Sequence, residues 1–383
     1  MRSDRRKVLT QLASAALLAA CSDVVKPSGA GAKAGDAGDA SGLGDTGPAG
    51  DAKPGDVTAD AQLDAAGDAS ATDAASDSTA ADASAGPLTQ DPAGPTPFIT
   101  PNDKHYITSC CGTPSYDPAT WTLQFADQGK PLLSLTLAQL DALPTQVKEH
   151  TLECIGTGPY SQSVSNALWT GLPVTKLLAH FGVAVPATKF LKITGIDGYT
   201  TGLPASDLDR PLWVVWRMNG EQLPPAHGRP ARLLVPGRYG MKNPKWLKSI
   251  EFVNEPHKGF WESQGWSDTA VYQAHTYIRW PRGEAPLPAG TVRIQGIAFA
   301  GADLIANVQV RVGDGPWLPA KVDYAPGPDI WTLWHFDWPA TKGTYVVQAR
   351  CVTKSGATSS ADPEGSDFSD GYDGSMAVSL DVS

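Results

Sequence analysis

The pattern of apolar and polar positions divides the chain into three stretches. The first 96 residues show no sustained period beyond one apolar run, Leu12 to Ala20. From Asp91 onward short elements appear. Alternation over Trp121–Phe125 predicts a strand, and Thr136 followed three positions later by Gln139 is a capping box that opens a short helix before Pro144. Val147–Cys154 reads as another strand. Pro173–Gly182 has helical apolar spacing with a Gly stop, and strands recur at Phe190–Ile193, Leu212–Trp216, Ala231–Val235 and Ile250–Val253. Beyond about Gly259 only period two remains: Val292 and Ile294, then Val308, Val310 and Val312 before the turn Gly313–Gly315, then Tyr345, Val347, Ala349 and Cys351. The expected fold is an α+β domain over residues 97–258, followed by an all-β sandwich over residues 259–383.

Composition changes the picture at the N-terminus. Residues 31–90 hold 18 Ala, 10 Gly and 11 Asp with no aromatic residue, too little apolar surface to offset the entropy of ordering. With 11 Asp against 2 Lys this stretch carries −9 of the chain's net −10, so the rest is close to neutral and lacks the basic face of a nucleic-acid binder. Residues 22–96 read as a tether, with a coil dimension of about 50 Å. Residues 1–21 read as an export signal, since the apolar run is too short to cross a bilayer. Arg5 and Arg6 ahead of Val8 and Leu9 fit twin-arginine export, and Leu18–Cys21 fits a lipoprotein cleavage box, which would anchor the chain in the cell envelope, on the periplasmic side, through a lipid on Cys21.

Two stretches carry candidate chemistry. Cys154 ends a strand and runs into Ile155, Gly156, Thr157 and Gly158, a backbone that can approach a ligand closely; its thiolate would suit a soft metal, and a buried apolar thiol is the alternative. Adjacent Cys110 and Cys111 would make a strained mutual disulfide, and the period-two pattern sends Cys351 into the sandwich core. No zinc-ribbon or haem-attachment spacing is present. Between positions 227 and 245 cationic or potentially cationic residues, among them His227, Arg232, Arg238, Lys242 and Lys245, interleave with Gly and Pro, a composition suited to a phosphate or other compact anion.

Taken together, Cys154 and Gly156, Ser165 with Asn166, Trp169 and Gly171, Met218–Gly220, His227 with Pro230 and Arg232, Pro236 with Gly237, and Lys242 with Lys245 and Trp246 resemble the sulfite oxidase family of molybdopterin oxidoreductases, from about Pro97 to Val352. The later half, with Gly265, Trp266, Asp268 and Gly315–Trp317, is similar to that family's immunoglobulin-like dimerisation domain. The resemblance implies a molybdenum–molybdopterin cofactor with Cys154 on the metal, and a pterin and phosphate held by His227, Arg232, Lys242, Lys245 and Asp197. It also implies two-electron oxygen-atom transfer, an external electron carrier such as a cytochrome, a small-molecule substrate and a homodimer. Three positions depart from the family pattern: Trp216 stands at the expected active-site Tyr position, residues 108–111 replace an Arg and a His, and Pro159 replaces an Arg. Loss of those cations predicts a substrate other than sulfite. A non-catalytic envelope lipoprotein that keeps the scaffold for binding is the competing reading.

Overall fold

The computed structural model describes residues 88–383 apart from 111, 160–162 and 367. The export signal, Cys21 and most of the tether lie outside the described residues. From Ser84 onward the chain forms one compact unit.

Its first half holds two antiparallel-rich sheets. One comprises β1 (Thr122–Asp127), β2 (Lys130–Thr136), β5 (Phe190–Gly195), β6 (Thr200–Pro204) and β10 (Leu247–Val253) in the order β2-β1-β10-β5-β6, with β1 and β10 parallel. The other runs β3 (Gln146–Glu153), β4 (Val164–Pro173), β7 (Trp213–Met218) and β8 (Glu221–Gln222), with β9 (Arg232–Leu234) also paired to β7. Leu123, Phe125, Leu177, Ile193, Val214, Trp216 and Phe252 fill the core between them.

The second half holds two four-stranded sheets that share one core. These are β11 (His275–Trp280), β12 (Gly290–Phe299), β16 (Thr332–Ala340) and β15 (Lys321–Tyr324), in the order β11-β12-β16-β15, and β14 (Leu318–Pro319), β13 (Ile305–Val312), β17 (Gly343–Thr353) and β18 (Ala377–Val382), in the order β14-β13-β17-β18. The alternating residues Val292, Ile294, Val308, Val310, Val347, Ala349 and Cys351 all point into this core. Ile155, Val164, Tyr239 and Met241, from the first half, belong to it as well, so the two halves share apolar packing.

The α+β class expected from sequence is corrected. Among the described residues only two α-helices occur, α1 (Leu137–Asp141) and α2 (Val174–His180), against eighteen strands. The capping box is real: the Gln139 N–H donates to Thr136 Oγ1 at 3.2 Å, and the Thr136 N–H donates to Gln139 Oε1 at 2.9 Å. It starts a helix of five residues, too short to build a layer, so the fold is mostly β. The strand β4 shows no alternation because nearly all of it is buried on both faces, which hid it from a period-two reading.

Candidate active site

β9 lies beside β7 with Arg232 opposite Val215, which places a guanidinium inside the protein. Arg232 is 5% exposed. Its Nη1 donates to His227 O at 3.0 Å and its Nη2 to Asn243 O at 3.2 Å, while the guanidinium lies 5.0 Å over the Trp169 ring. Its Nε has no partner. Burial pulls this group down to about 10.

Two further nitrogen groups share the site from the same loop. Lys245 donates from Nζ to Ala226 O at 3.0 Å and sits 4.2 Å over the Trp246 ring; burial, then the Arg232 charge, lowers it to about 8. His227 lies with Nε2 2.8 Å from Asn102 O, so the proton sits on that nitrogen, and burial lowers its pKa. Gly228 makes this convergence possible. At φ +117°, a Cβ there would stand 3.0 Å from Lys245 Cβ and 3.1 Å from Arg232 Cβ.

A fourth ring comes from the segment before β1. His105 packs edge-on against His227 with centroids 5.1 Å apart. Its Nδ1 lies 3.1 Å from Tyr106 O, which fixes the proton there and leaves Nε2 as an unpartnered acceptor. Burial, reinforced by the charges of Arg232, His227 and Lys245, lowers it to about 3, so it is neutral. Nothing periodic in residues 97–110 announces this contribution. The segment is stapled by two asparagines: Asn219 Nδ2 donates to Thr100 O and Asn102 Oδ1, both at 2.9 Å, and Asn166 Nδ2 donates to Phe98 O at 2.8 Å.

Cys154 follows the last residue of β3. Its N–H donates to Ser163 O at 3.0 Å, and its carbonyl accepts from Thr157 N–H at 3.0 Å. The side chain is partly exposed and stands outside the apolar cores, unlike Cys351, which is fully buried and pushed up to about 12. Burial raises the Cys154 thiol, the Gly156 backbone and Thr108 hydroxyl lower it, and the Glu153 carboxylate raises it again. None of these groups is a cation, and a bound metal would favour the thiolate.

Two expected site residues stand elsewhere. Trp216 is 3% exposed and packs in the first-half core, with its Nε1 unpartnered. Lys242 is 1% exposed and forms a buried ion pair with Glu262, donating also to Gly202 O at 3.0 Å. Arg238 is likewise committed, to Asp207 at 2.7 Å. Asp197 remains beside the cluster: its Oδ1 accepts from the Tyr199 N–H at 3.1 Å, and its charge acts on Lys245. The aromatic hydroxyls on which Cys154 acts include Tyr199, which donates to Met241 O at 2.6 Å, Tyr106 and Tyr239; burial raises all three well above the ordinary tyrosine value, and Cys154 adds to each shift.

The family described as "Oxidoreductase molybdopterin binding domain" matches residues 111–261. An uncharacterized oxidoreductase of Bacillus subtilis (strain 168) is 32% identical over 155 residues, covering 40% of this chain and 76% of that protein. The chain belongs to the sulfite oxidase family of molybdopterin oxidoreductases. Sulfite oxidase of Gallus gallus is 26% identical over 297 residues, covering 64% of this chain and 64% of its own length. The chain thus spans just under two thirds of that relative, and 55% of the mitochondrial sulfite oxidase of Homo sapiens. A crystal structure of the sulfane dehydrogenase SoxCD from Paracoccus pantotrophus superposes with a TM-score of 0.65 at 22% identity, over 75% of this chain and 84% of that one, which establishes the shared fold.

Molybdenum–molybdopterin is the cofactor this family carries, and the residues here suit it. Among the described residues no carboxylate forms an ion pair with Arg232, Lys245 or His227; the Arg232 charge lowers the other two, Asp197 acts on Lys245 from beside the cluster, and a directly paired anion is lacking. A pterin phosphate would supply that anion. The Arg232 Nε donor and the His105 Nε2 acceptor are unpartnered buried atoms ready for a polar ring.

Proposed function

We propose that this chain is an exported molybdenum oxidoreductase that acts on a small substrate other than sulfite. The reading is carried by one observation: the Cys154 thiol and the buried Arg232 guanidinium both act on the Tyr106 hydroxyl, and Arg232 has no carboxylate ion pair among the described residues. Cys154 would hold the molybdenum. Arg232, Lys245 and His227 would hold the pterin and its phosphate, with Asp197 and His105 on its polar edges. The bound group would supply two-electron oxygen-atom transfer between water and substrate.

The protein's own contribution is placement and charge. Arg232 and Lys245 bring fixed positive charge into a region of low polarity, where an anion is held more strongly than in water. Tyr106 and Tyr199 keep their protons across the neutral range, so both offer neutral hydroxyls near the thiol. At the Cys154 end the groups that act on the thiol are the Gly156 backbone, the Thr108 hydroxyl and Glu153, and none of them is a cation. Sulfite would forgo charge-assisted hydrogen bonds of about 1.5–3 kcal/mol each, whereas a neutral molecule such as a sulfoxide loses nothing. An external electron carrier would complete the cycle, with the chain held to the envelope through Cys21 and paired as a homodimer through its β-sandwich.

Metal analysis and steady-state assay test the reading. About one molybdenum per chain is expected, with weak turnover of sulfite by an artificial acceptor. Absence of molybdenum after expression in a cofactor-competent host refutes the enzyme reading, and a sulfite kcat on the order of 10 s⁻¹ refutes the substrate reading.

A further inference from the structure

β3 brings Cys154 to the site, and the residue before it is anchored in the other half of the chain. Glu153 is 0% exposed. Its Oε1 accepts from Tyr277 Oη at 2.9 Å and lies 3.2 Å from His275 Nε2. Both partners sit on β11, two residues apart and so on one face of that strand. His275 is itself oriented, its Nδ1–H donating to Gln273 O at 2.9 Å, and Tyr277 stacks on Tyr372 with centroids 5.2 Å apart.

The Glu153 backbone is confined as well. It pairs in register with Val164, and a Cβ at Gly240 would stand 3.1 Å from its carbonyl oxygen. A side chain at position 240 would therefore push on the peptide that carries Cys154. Burying a carboxylate costs several kcal/mol, and a hydrocarbon of similar size would serve stability as well. What the carboxylate adds is direction: one hydrogen bond and one histidine contact fix the end of β3 relative to the β-sandwich.

We infer that Glu153, Tyr277 and His275 form a positioning set that fixes the Cys154 sulfur from the β-sandwich side. The inference rests on the reading of Cys154 as the molybdenum ligand. The second half of the chain then contributes to the metal end of the site without touching the metal. Displacements well under 1 Å matter for a ligand atom and for a reacting geometry.

The test uses the full-length holoprotein and reads the sulfur-to-molybdenum charge-transfer absorption, molybdenum content, kcat, KM and thermal stability. Tyr277→Phe keeps the ring stack and removes the hydrogen bond. It is expected to shift the charge-transfer band and lower kcat by roughly ten- to hundredfold, with KM and molybdenum content unchanged. Glu153→Ala should do the same, while Glu153→Gln, which keeps the acceptor oxygen, should restore band and kcat despite lower stability. If Glu153→Ala does not fold, Tyr277→Phe decides alone. Wild-type spectrum and kcat per molybdenum in Tyr277→Phe, with only the melting temperature lowered, overturns the inference and makes the contact packing. In Cys154→Ser the band should vanish; its persistence there instead overturns the ligand reading on which the inference rests.

Discussion

Replacing Arg232 by Met separates a binding cation from a structural one. In the wild-type apoprotein the burial that takes the guanidinium from 12.5 to about 10 sets about 3 kcal/mol against its charged form. Methionine removes that cost and fills much of the volume over Trp169, but it abandons the carbonyls of His227 and Asn243, at about 1–3 kcal/mol for each left unsatisfied. These effects oppose each other, so apoprotein stability should change by no more than about 2 kcal/mol. Anion binding has no such compensation. Loss of the unpartnered Nε donor removes about 1.5–3 kcal/mol, roughly ten- to hundredfold in affinity. The assay is thermal unfolding of apoprotein, made without the cofactor, at rising inorganic pyrophosphate. At a concentration 100 times the wild-type Kd the wild type gains about 2.7 kcal/mol, and a hundredfold weaker variant about 0.4 kcal/mol. Equal stabilisation of both proteins refutes the anion role, and a variant that fails to fold shows Arg232 to be structural.

Other perturbations follow from the same geometry. Gly228→Ala puts a side chain at φ +117° and within 3.1 Å of both Arg232 and Lys245; it should cost about 1–3 kcal/mol and lower cofactor content, and wild-type content and melting temperature would contradict the cradle. Lys242→Met strands the buried Glu262 carboxylate and should destabilise by about 3–5 kcal/mol, while a Lys242→Met/Glu262→Met pair recovers most of that loss and keeps the pyrophosphate response; calorimetry of the three proteins checks it. Lys245 titrates at about 8 when folded against 10.5 when unfolded, so between these values the unfolded chain holds the extra proton and apoprotein stability rises with pH through this group. Lys245→Met should abolish that rise, and should also flatten the weakening of pyrophosphate binding that accompanies deprotonation above pH 8.

Elements with a clean period were legible in the sequence, and those without one were not. The second-half strands show Val308, Val310 and Val312 on one side and polar residues on the other because one face of each sheet is buried. β4 carries Ser165, Asn166 and Trp169 through a doubly buried position, so its polar residues point inward and the pattern vanishes. The two helices were expected where they occur and expected to be short, but so few and so short they build no layer beside eighteen strands, and that decides the class. At the site, residue types in the 227–245 loop pointed to anion chemistry while saying nothing about which cations already had partners. Asp207 and Glu262, which neutralise Arg238 and Lys242, are 31 and 20 positions away, so only folding could divide the cations of this loop into paired and unpaired.

That division also bears on the replaced tyrosine. An aromatic residue at position 216 lies on β7, whose side chains are buried between packed elements, and its indole enters the first-half core. A hydroxyl able to reach the Cys154 region has to come from a loop that crosses the mouth of the sheets. Such loops include the turn from β5 to β6, which presents Tyr199, the segment stapled by Asn166 and Asn219, which presents Tyr106, and the stretch between β9 and β10, which presents Tyr239. A Trp at position 216 therefore leaves the reacting end with its phenols intact. At that end Thr108 is a hydroxyl donor to the thiol, and Glu153 beside it is held by Tyr277 and His275. The buried Arg232 guanidinium and Lys245 stand where the pterin phosphate would sit, and Arg282 donates to Pro159 O at 3.2 Å in the loop that follows the thiol.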